Sequence, residues 1–214
     1  MTRQEFDDGS RYEGEVSLDG TRDGKGIMYM HNGDIYAGTW EDGLFEGYGT
    51  YILASGERYE GELDDGLKMG RGKFCYLNGN VYIGDWFADK KSGKGVMVFN
   101  NGDRYEGEWK SGVMEGYGEY QYFFGDKYMG YFKDGKRHDK GSMVYGNGAQ
   151  FHGSWENDTA NGEGEMKFAN GDVYEGNFAN IKMQGKGDYT FCNGSKYKGE
   201  FYNNERVGLG TMVL

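Results

Sequence analysis

Paired carboxylates recur along the chain, Glu13 with Glu15 and Glu106 with Glu108 among them, each pair two residues apart across a glycine. Acid–base cleavage of a glycosidic bond needs two carboxyl groups facing each other across a substrate, one with a raised pKa. Residues two apart on a strand instead lie side by side on one face, so these pairs are expected on a solvated outer surface. Gly-x-Gly occurs at Gly24–Gly26, Gly116–Gly118 and Gly185–Gly187. A phosphate loop needs a helix N-terminus directly after it, whereas a strand pattern follows each of these. Histidine and cysteine are confined to His31, His138, His152, Cys75 and Cys192, with no Cys-x-x-Cys or His-x-x-x-His spacing. An intrachain structural zinc site therefore lacks its ligands. The arrangement left open is a zinc ion shared between two chains through Cys192 and His152; no other cofactor and no catalytic residue is expected.

The bulk composition points away from several partner classes. Net charge is −11 over 214 residues, and nucleic-acid binding draws its affinity from Lys and Arg at phosphates. The same balance disfavours anionic membrane surfaces. No apolar run has the length of a bilayer span, and the residues from Met1 onward carry no apolar signal core. Two cysteines make no disulfide framework, which fits a reducing cytoplasm. There are 41 Gly and no Pro, yet aromatics reach 17%. Glycine richness alone reads as disorder, but 19 Tyr, 13 Phe and 4 Trp supply large buriable surfaces, so a folded chain is expected.

The glycines repeat. Gly-x-x-(Tyr/Phe)-x-Gly starts at Gly9, Gly33, Gly56, Gly79, Gly102, Gly125, Gly148, Gly171 and Gly194. The spacing is 24 once and 23 thereafter, the extra residue falling in the first repeat. Counting the start Gly as position 0, position 3 is Tyr except for Phe151, and position 5 is always Gly. Position 7 is Val16, Trp40, Leu63, Trp86, Trp109, Phe132, Trp155, Phe178 or Phe201. From the second repeat onward position 14 is Gly except for Asp139, position 16 is always Gly, and positions 18 and 20 are apolar.

Steps of two put positions 3, 5 and 7 on one strand face, and likewise 14, 16, 18 and 20. Each repeat reads as two strands joined by a polar loop such as Lys110–Glu115, and the Asn-Gly between repeats reads as a tight turn. The pattern predicts about 18 antiparallel strands in a meander. At ~4.8 Å per strand this makes a twisted single-layer rod on the order of 85 Å long. The parity sets position 7 opposite 14, and 5 opposite 16, so Gly116 is expected beneath Trp109 and Gly107 across from Gly118.

Units such as Tyr105–Gly118, reading Tyr-Glu-Gly-Glu-Trp…Gly-Tyr-Gly, resemble the MORN (membrane occupation and recognition nexus) repeat, nine times over essentially the whole chain, 1–214. The resemblance implies an elongated, twisted single-layer antiparallel sheet with an aromatic-lined groove. It also implies a non-catalytic scaffold like the C-terminal repeat region of protozoan cytoskeletal proteins, with homodimerisation through the last repeats. The expected groove residues are Tyr36, Trp40, Tyr59, Tyr82, Trp86, Tyr105, Trp109, Tyr128 and Trp155. A tail-to-tail interface is expected from Phe178, Phe191, Tyr197, Phe201, Tyr202, Met212 and Leu214. The expected partners are a second copy and cytoskeletal or membrane-associated proteins. The alternative function is a phosphoinositide- or membrane-binding module. The expected location is cytoplasmic, on the cytoskeleton or at the membrane periphery.

Overall fold

Residues 2–214 are described by a computed structural model. They form nineteen strands and no helix. The chain divides into two compact units, the stretch up to Asn101 with Trp109–Gly112, and Gly102–Glu108 with Val113–Leu214. The first holds β1 (Thr2–Glu5), β2 (Arg11–Val16), β3 (Arg22–Tyr29), β4 (Ile35–Glu41), β5 (Leu44–Ile52), β6 (Arg58–Asp64), β7 (Leu67–Cys75), β8 (Val81–Phe87) and β9 (Lys90–Val98). β10 (Arg104–Lys110) contributes to both units. The second holds β11 (Val113–Gln121), β12 (Lys127–Lys133), β13 (Lys136–Val144), β14 (Gln150–Glu156), β15 (Thr159–Lys167), β16 (Val173–Ala179), β17 (Lys182–Thr190), β18 (Lys196–Tyr202) and β19 (Glu205–Val213). Within each unit consecutive strands pair antiparallel, so the fold is an all-β meander. The strand beyond the expected eighteen is β1, which precedes the first repeat and pairs with β2.

Two turn types alternate, and local chemistry explains both. Between repeats, Gly33 N–H donates to Met30 C=O and Met30 N–H to Asp34 C=O, each at 2.9 Å. This three-residue loop ends on a left-handed residue, and Gly33 supplies it at φ 91°. Within repeats, from the second onward, the expected six-residue loop shrinks to two residues. Asp65 and Gly66, at φ 48° and 79°, form a turn with both central residues left-handed, as a right-twisted hairpin prefers.

The register corrects the sequence expectation in one respect. Gly61 faces Gly72 and Tyr59 faces Phe74, so position 5 meets 16 and 3 meets 18. Position 7 does not meet 14 within the hairpin, because a bulge lets Leu63 pair with Lys68, at position 12. Position 14 instead faces position 7 of the next repeat, as Gly70 faces Trp86 and Gly116 faces Phe132. The physical reason is the left-handed backbone at position 14, φ 54° at Gly70, which takes two residues out of the ladder. The position-6 carboxylate closes the bulge: Glu62 accepts the Arg71 N–H and Asp85 the Lys94 N–H, at 3.3 and 2.8 Å. A Cβ on Gly116 would lie 2.1 Å from Glu108 Oε2, so Gly116 is a bulge residue rather than the floor beneath Trp109.

The floor glycines are those at positions 5 and 16, and the ring above them is tyrosine. A Cβ on Gly95 would sit 2.3 Å from the Tyr82 hydroxyl, and one on Gly84 would sit 2.5 Å from Cα of Gly95. The Tyr82 hydroxyl donates to the Asp85 carbonyl at 2.9 Å, and Tyr36 and Tyr59 make the same bond to Thr39 and Glu62. Burial pushes the Tyr36 hydroxyl up to about 12, so it stays a donor. Phe151 at position 3 has no hydroxyl to make this bond, and Gly164 Cα lies 2.8 Å from a Cβ built on the Gly153 beneath it. Phe151→Tyr should gain up to about 1 kcal/mol by donating to the Ser154 carbonyl; a lower melting temperature than wild type would refute this.

Candidate interaction surface

All nine aromatics expected to line an open groove are core residues. Tyr36, Tyr59, Tyr82, Tyr105 and Tyr128 are 0% exposed, and Trp40, Trp86, Trp109 and Trp155 are 6% exposed or less. In the first unit Trp40 and Trp86 each stand edge-on between the Tyr of their own repeat and that of the preceding one. Trp40 lies 5.1 Å from Tyr12 and 5.3 Å from Tyr36, with ring planes 77° and 75° apart. In the second unit Phe132, Trp155, Phe178 and Phe201 repeat the arrangement. Edge-to-face geometry favours such pairs beyond the area they bury. The Trp86 indole N–H donates to the Gly72 carbonyl at 3.2 Å, tying each tryptophan to the repeat before it. These rings hold neighbouring repeats together, and little of their surface is left for a ligand.

The residues expected at a tail-to-tail interface separate into two groups. Phe178, Phe201 and Tyr197 are buried in the same ladder, which removes them as contact candidates. Phe191 is half-buried against Tyr189. Tyr202, Met212 and Leu214 are exposed, together with Leu209 and Val213 on β19. Among the described residues, the one group of three or more potential ligand atoms is Glu46, Asp64 and Asp65, and it includes neither Cys192 nor His152. His152 Nδ1 lies 2.6 Å from Ser142 Oγ, and the Cys192 backbone N–H donates to Asp172.

Three further sets of residues act within or between repeats, and motif reading passed over them. At position 1, Asp34, Asp103 and Asp172 each accept a backbone N–H from the turn that follows, at 2.8 Å. The same carboxylates accept the hydroxyls of Tyr51, Tyr120 and Tyr189. The Tyr189 bond, with the Cys192 amide next, holds the Asp172 carboxyl below the usual range. Position 13 supplies the second set: Glu46 and Glu115 accept the turn N–H groups of Asp65 and Asp134. The third set is position 12 (Arg22, shifted by the extra residue, in the first repeat), whose side chain lies over the position-7 ring of the next repeat. Arg22 covers Trp40, Lys68 covers Trp86 and Arg137 covers Trp155, at 4.5–5.7 Å from the ring centres. The recurrence of Arg or Lys at that position was the signal available for it.

Two kinds of surface remain open. In the first unit an open cleft of about 350 Å³ lies beside Trp40, lined by Arg22, Met28, Met30, Leu44 and Phe45. In the second unit Tyr117 and Tyr131 pair across β11 and β12, their rings 5.5 Å apart and edge-on. Both point to the face opposite the ladder and are 48% and 47% exposed, with Met129 beside them at 42%. The turn after β11 presents Phe123 and Phe124, 77% and 71% exposed, where other repeats carry pairs such as His-Asn, Ala-Ser or Asn-Asn.

Comparison with known proteins bears on the fold. A family model described as MORN repeat matches residues 12–35, 36–58, 59–81, 82–104, 105–126, 128–150, 151–173, 174–196 and 197–214. No curated protein sequence matches. The wild-type TCP10 domain of Danio rerio CPAP is similar in structure, with TM-score 0.55 at 14% identity, covering 98% of this chain and 99% of that one. The same domain in complex with a peptide of Danio rerio STIL gives TM-score 0.54 at 13% identity, covering 98% of each chain. At these identities the likeness is one of fold.

Proposed function

Because this chain belongs to the MORN-repeat family, we propose that it is a non-catalytic protein-interaction scaffold that binds an extended segment of a partner on exposed side chains of its sheet. The observation that carries the reading is the Tyr117–Tyr131 pair, two half-exposed rings on the face that the internal ladder does not use. Tyrosine is a favoured anchor at protein interfaces, with a large apolar body and a polar tip. The rigid scaffold beneath it lowers the ordering cost of binding. Peptide capture by the similarly folded CPAP domain supports the same use here.

The test is selection of binders to the full chain from a displayed library of 16-residue peptides, followed by affinity measurement. Replacing both tyrosines by serine (Tyr117→Ser with Tyr131→Ser) should weaken the selected peptides at least tenfold without lowering the melting temperature. Peptides indifferent to that double variant would overturn the assignment of this face. Salt-sensitive sedimentation with phosphoinositide vesicles in the absence of peptide binding would establish the lipid reading instead, against which the net charge of −11 stands.

The exposed apolar residues of β19, Leu209, Met212 and Val213, support self-association of the second unit as part of the same scaffold role. A monomeric mass by light scattering at tens of micromolar would remove that element and leave peptide binding in place.

A further inference from the structure

We propose that Lys91, with the open position beside Gly112, is a docking site for a single carboxylate side chain of a partner polypeptide. This rests on the protein-interaction reading and names part of the partner's chemistry. Position 12 of each repeat touches position 10 of the next, whose N–H donates to its carbonyl: Asp89 to Lys68, Gly112 to Lys91 and Asp158 to Arg137.

Where position 12 is a cation, an acceptor normally stands opposite it. Lys68 Nζ and its backbone N–H both reach Asp89 Oδ1, at 3.0 and 3.1 Å. Arg137 does the same with Asp158 Oδ1, through Nε at 3.1 Å and its backbone N–H at 3.0 Å. Arg22 faces Gly43 and reaches its carbonyl at 2.9 Å. Where position 12 is Phe45 or Met114, glycine stands opposite, as Gly66 or Gly135. Among the described repeats that are followed by another, Lys91 is the one position-12 cation that faces no acceptor side chain and makes no hydrogen bond to its neighbour's carbonyl: that neighbour is Gly112, and a Cβ built there would meet nothing within 4 Å.

The Lys91 ammonium lies 4.2 Å from the Trp109 ring centre, 5.6 Å from Tyr82 and 6.0 Å from Tyr76. Those ring faces attract it, yet burial lowers its pKa to about 8, so a desolvated cation waits on an acceptor. A carboxylate placed where the Asp89 and Asp158 side chains stand in their own repeats would meet the ammonium and the Lys91 backbone N–H together. Charge-assisted bonds of that kind are the stronger ones. The sister sites each accommodate one carboxylate, which favours an Asp or Glu side chain over a phosphate group.

The experiment follows the Lys91 side chain by NMR in lysine-labelled full-length protein, with Lys91→Met identifying the signal. Methionine is native at position 12 as Met114 and Met183, so this variant suits the fold. The titrant is N-acetyl-aspartate amide at constant ionic strength, with N-acetyl-asparagine amide and inorganic phosphate as controls. The expected result is a saturable shift of the Lys91 signal with a dissociation constant on the order of 10 mM or tighter, a rise in the Lys91 pKa, and no response to the asparagine control. Gly112→Asp should abolish the response and raise the Lys91 pKa by itself; Asp already occupies this left-handed position at Asp89 and Asp158, φ 65° and 69°. No saturable shift, an equal response to phosphate, or an undiminished response in Gly112→Asp would overturn the proposal. Selected peptides that need Tyr117 and Tyr131 while the Lys91 signal stays still would retain the interaction reading and reject this site.

Discussion

Gly84→Ala is expected to destabilise the first unit by about 3 kcal/mol, the upper end of what overpacking a close-packed site costs. The added methyl has nowhere to go. It would lie 2.5 Å from Cα of Gly95, 2.6 Å from the Lys94 carbonyl oxygen and 2.5 Å from the Tyr82 hydroxyl. Two of those three atoms are backbone of the paired strand, so relief requires β8 and β9 to separate or the ladder bonds between them to stretch. Gly84 is not left-handed, so the penalty comes from space alone. Gly146→Ala is the matched control: it too lies outside the left-handed region, and its nearest neighbour would be the Phe124 carbonyl oxygen at 3.4 Å. The control should change stability by less than about 1 kcal/mol, since removing a glycine also restricts the unfolded chain. Thermal melts and hydrogen exchange of the two variants decide the matter. Indistinguishable melting temperatures would mean that the glycines are not the floor of the ladder.

Tyr82→Ala is expected to cost about 3–5 kcal/mol, the range for truncating a fully buried aromatic. Tyr82 is 0% exposed and edge-on to both Trp86 and Trp109, at 5.2 Å from each. Its loss opens a cavity between two repeats and removes two ring contacts at once. In an array where each repeat leans on its neighbours, faster hydrogen exchange should concentrate in β7 to β9. Tyr82→Phe separates the ring from the hydroxyl. It removes the bond to the Asp85 carbonyl and keeps the packing, so it should cost only about 1 kcal/mol. Phe151 shows that the fold accepts phenylalanine at this position. Equal losses for the Ala and Phe variants would place the energy in the hydrogen bond and refute the packing account.

Much of the fold is legible because the period is short and repeats nine times. Tyr59, Gly61 and Leu63 alternate with polar residues, and that alternation needs no tertiary information to be read as one strand face. Pairing of position 5 with 16 follows from the same parity and is present at Gly61 and Gly72. The parity fails at position 14, since a left-handed glycine and a glycine that yields space to a ring look identical in sequence. At Gly70 the φ of 54° decides for the first, and the Trp86 it faces belongs to the next repeat. The nine ring residues were visible as one set, but their accessibility was not. Tyr36 is covered by Trp40, Phe45 and Tyr51, and which rings close over which depends on the bulge.

The sequence by itself determined an all-β array of nine repeats and most of the side chains that share each face. It did so because those properties depend on parity, recurrence and counting, all of which survive in one dimension. Only the tertiary structure decided that the tyrosines and tryptophans are mortar rather than groove. It also set the half-exposed pair Tyr117 and Tyr131 on the opposite face. The Lys91 cation stands beside a glycine where two sister repeats provide an aspartate. Those outcomes depend on contacts between residues 14 to 21 positions apart, such as Tyr117 with Tyr131 and Lys91 with Gly112. Such contacts exist only once the bulge has set the register and neighbouring repeats have closed on each other.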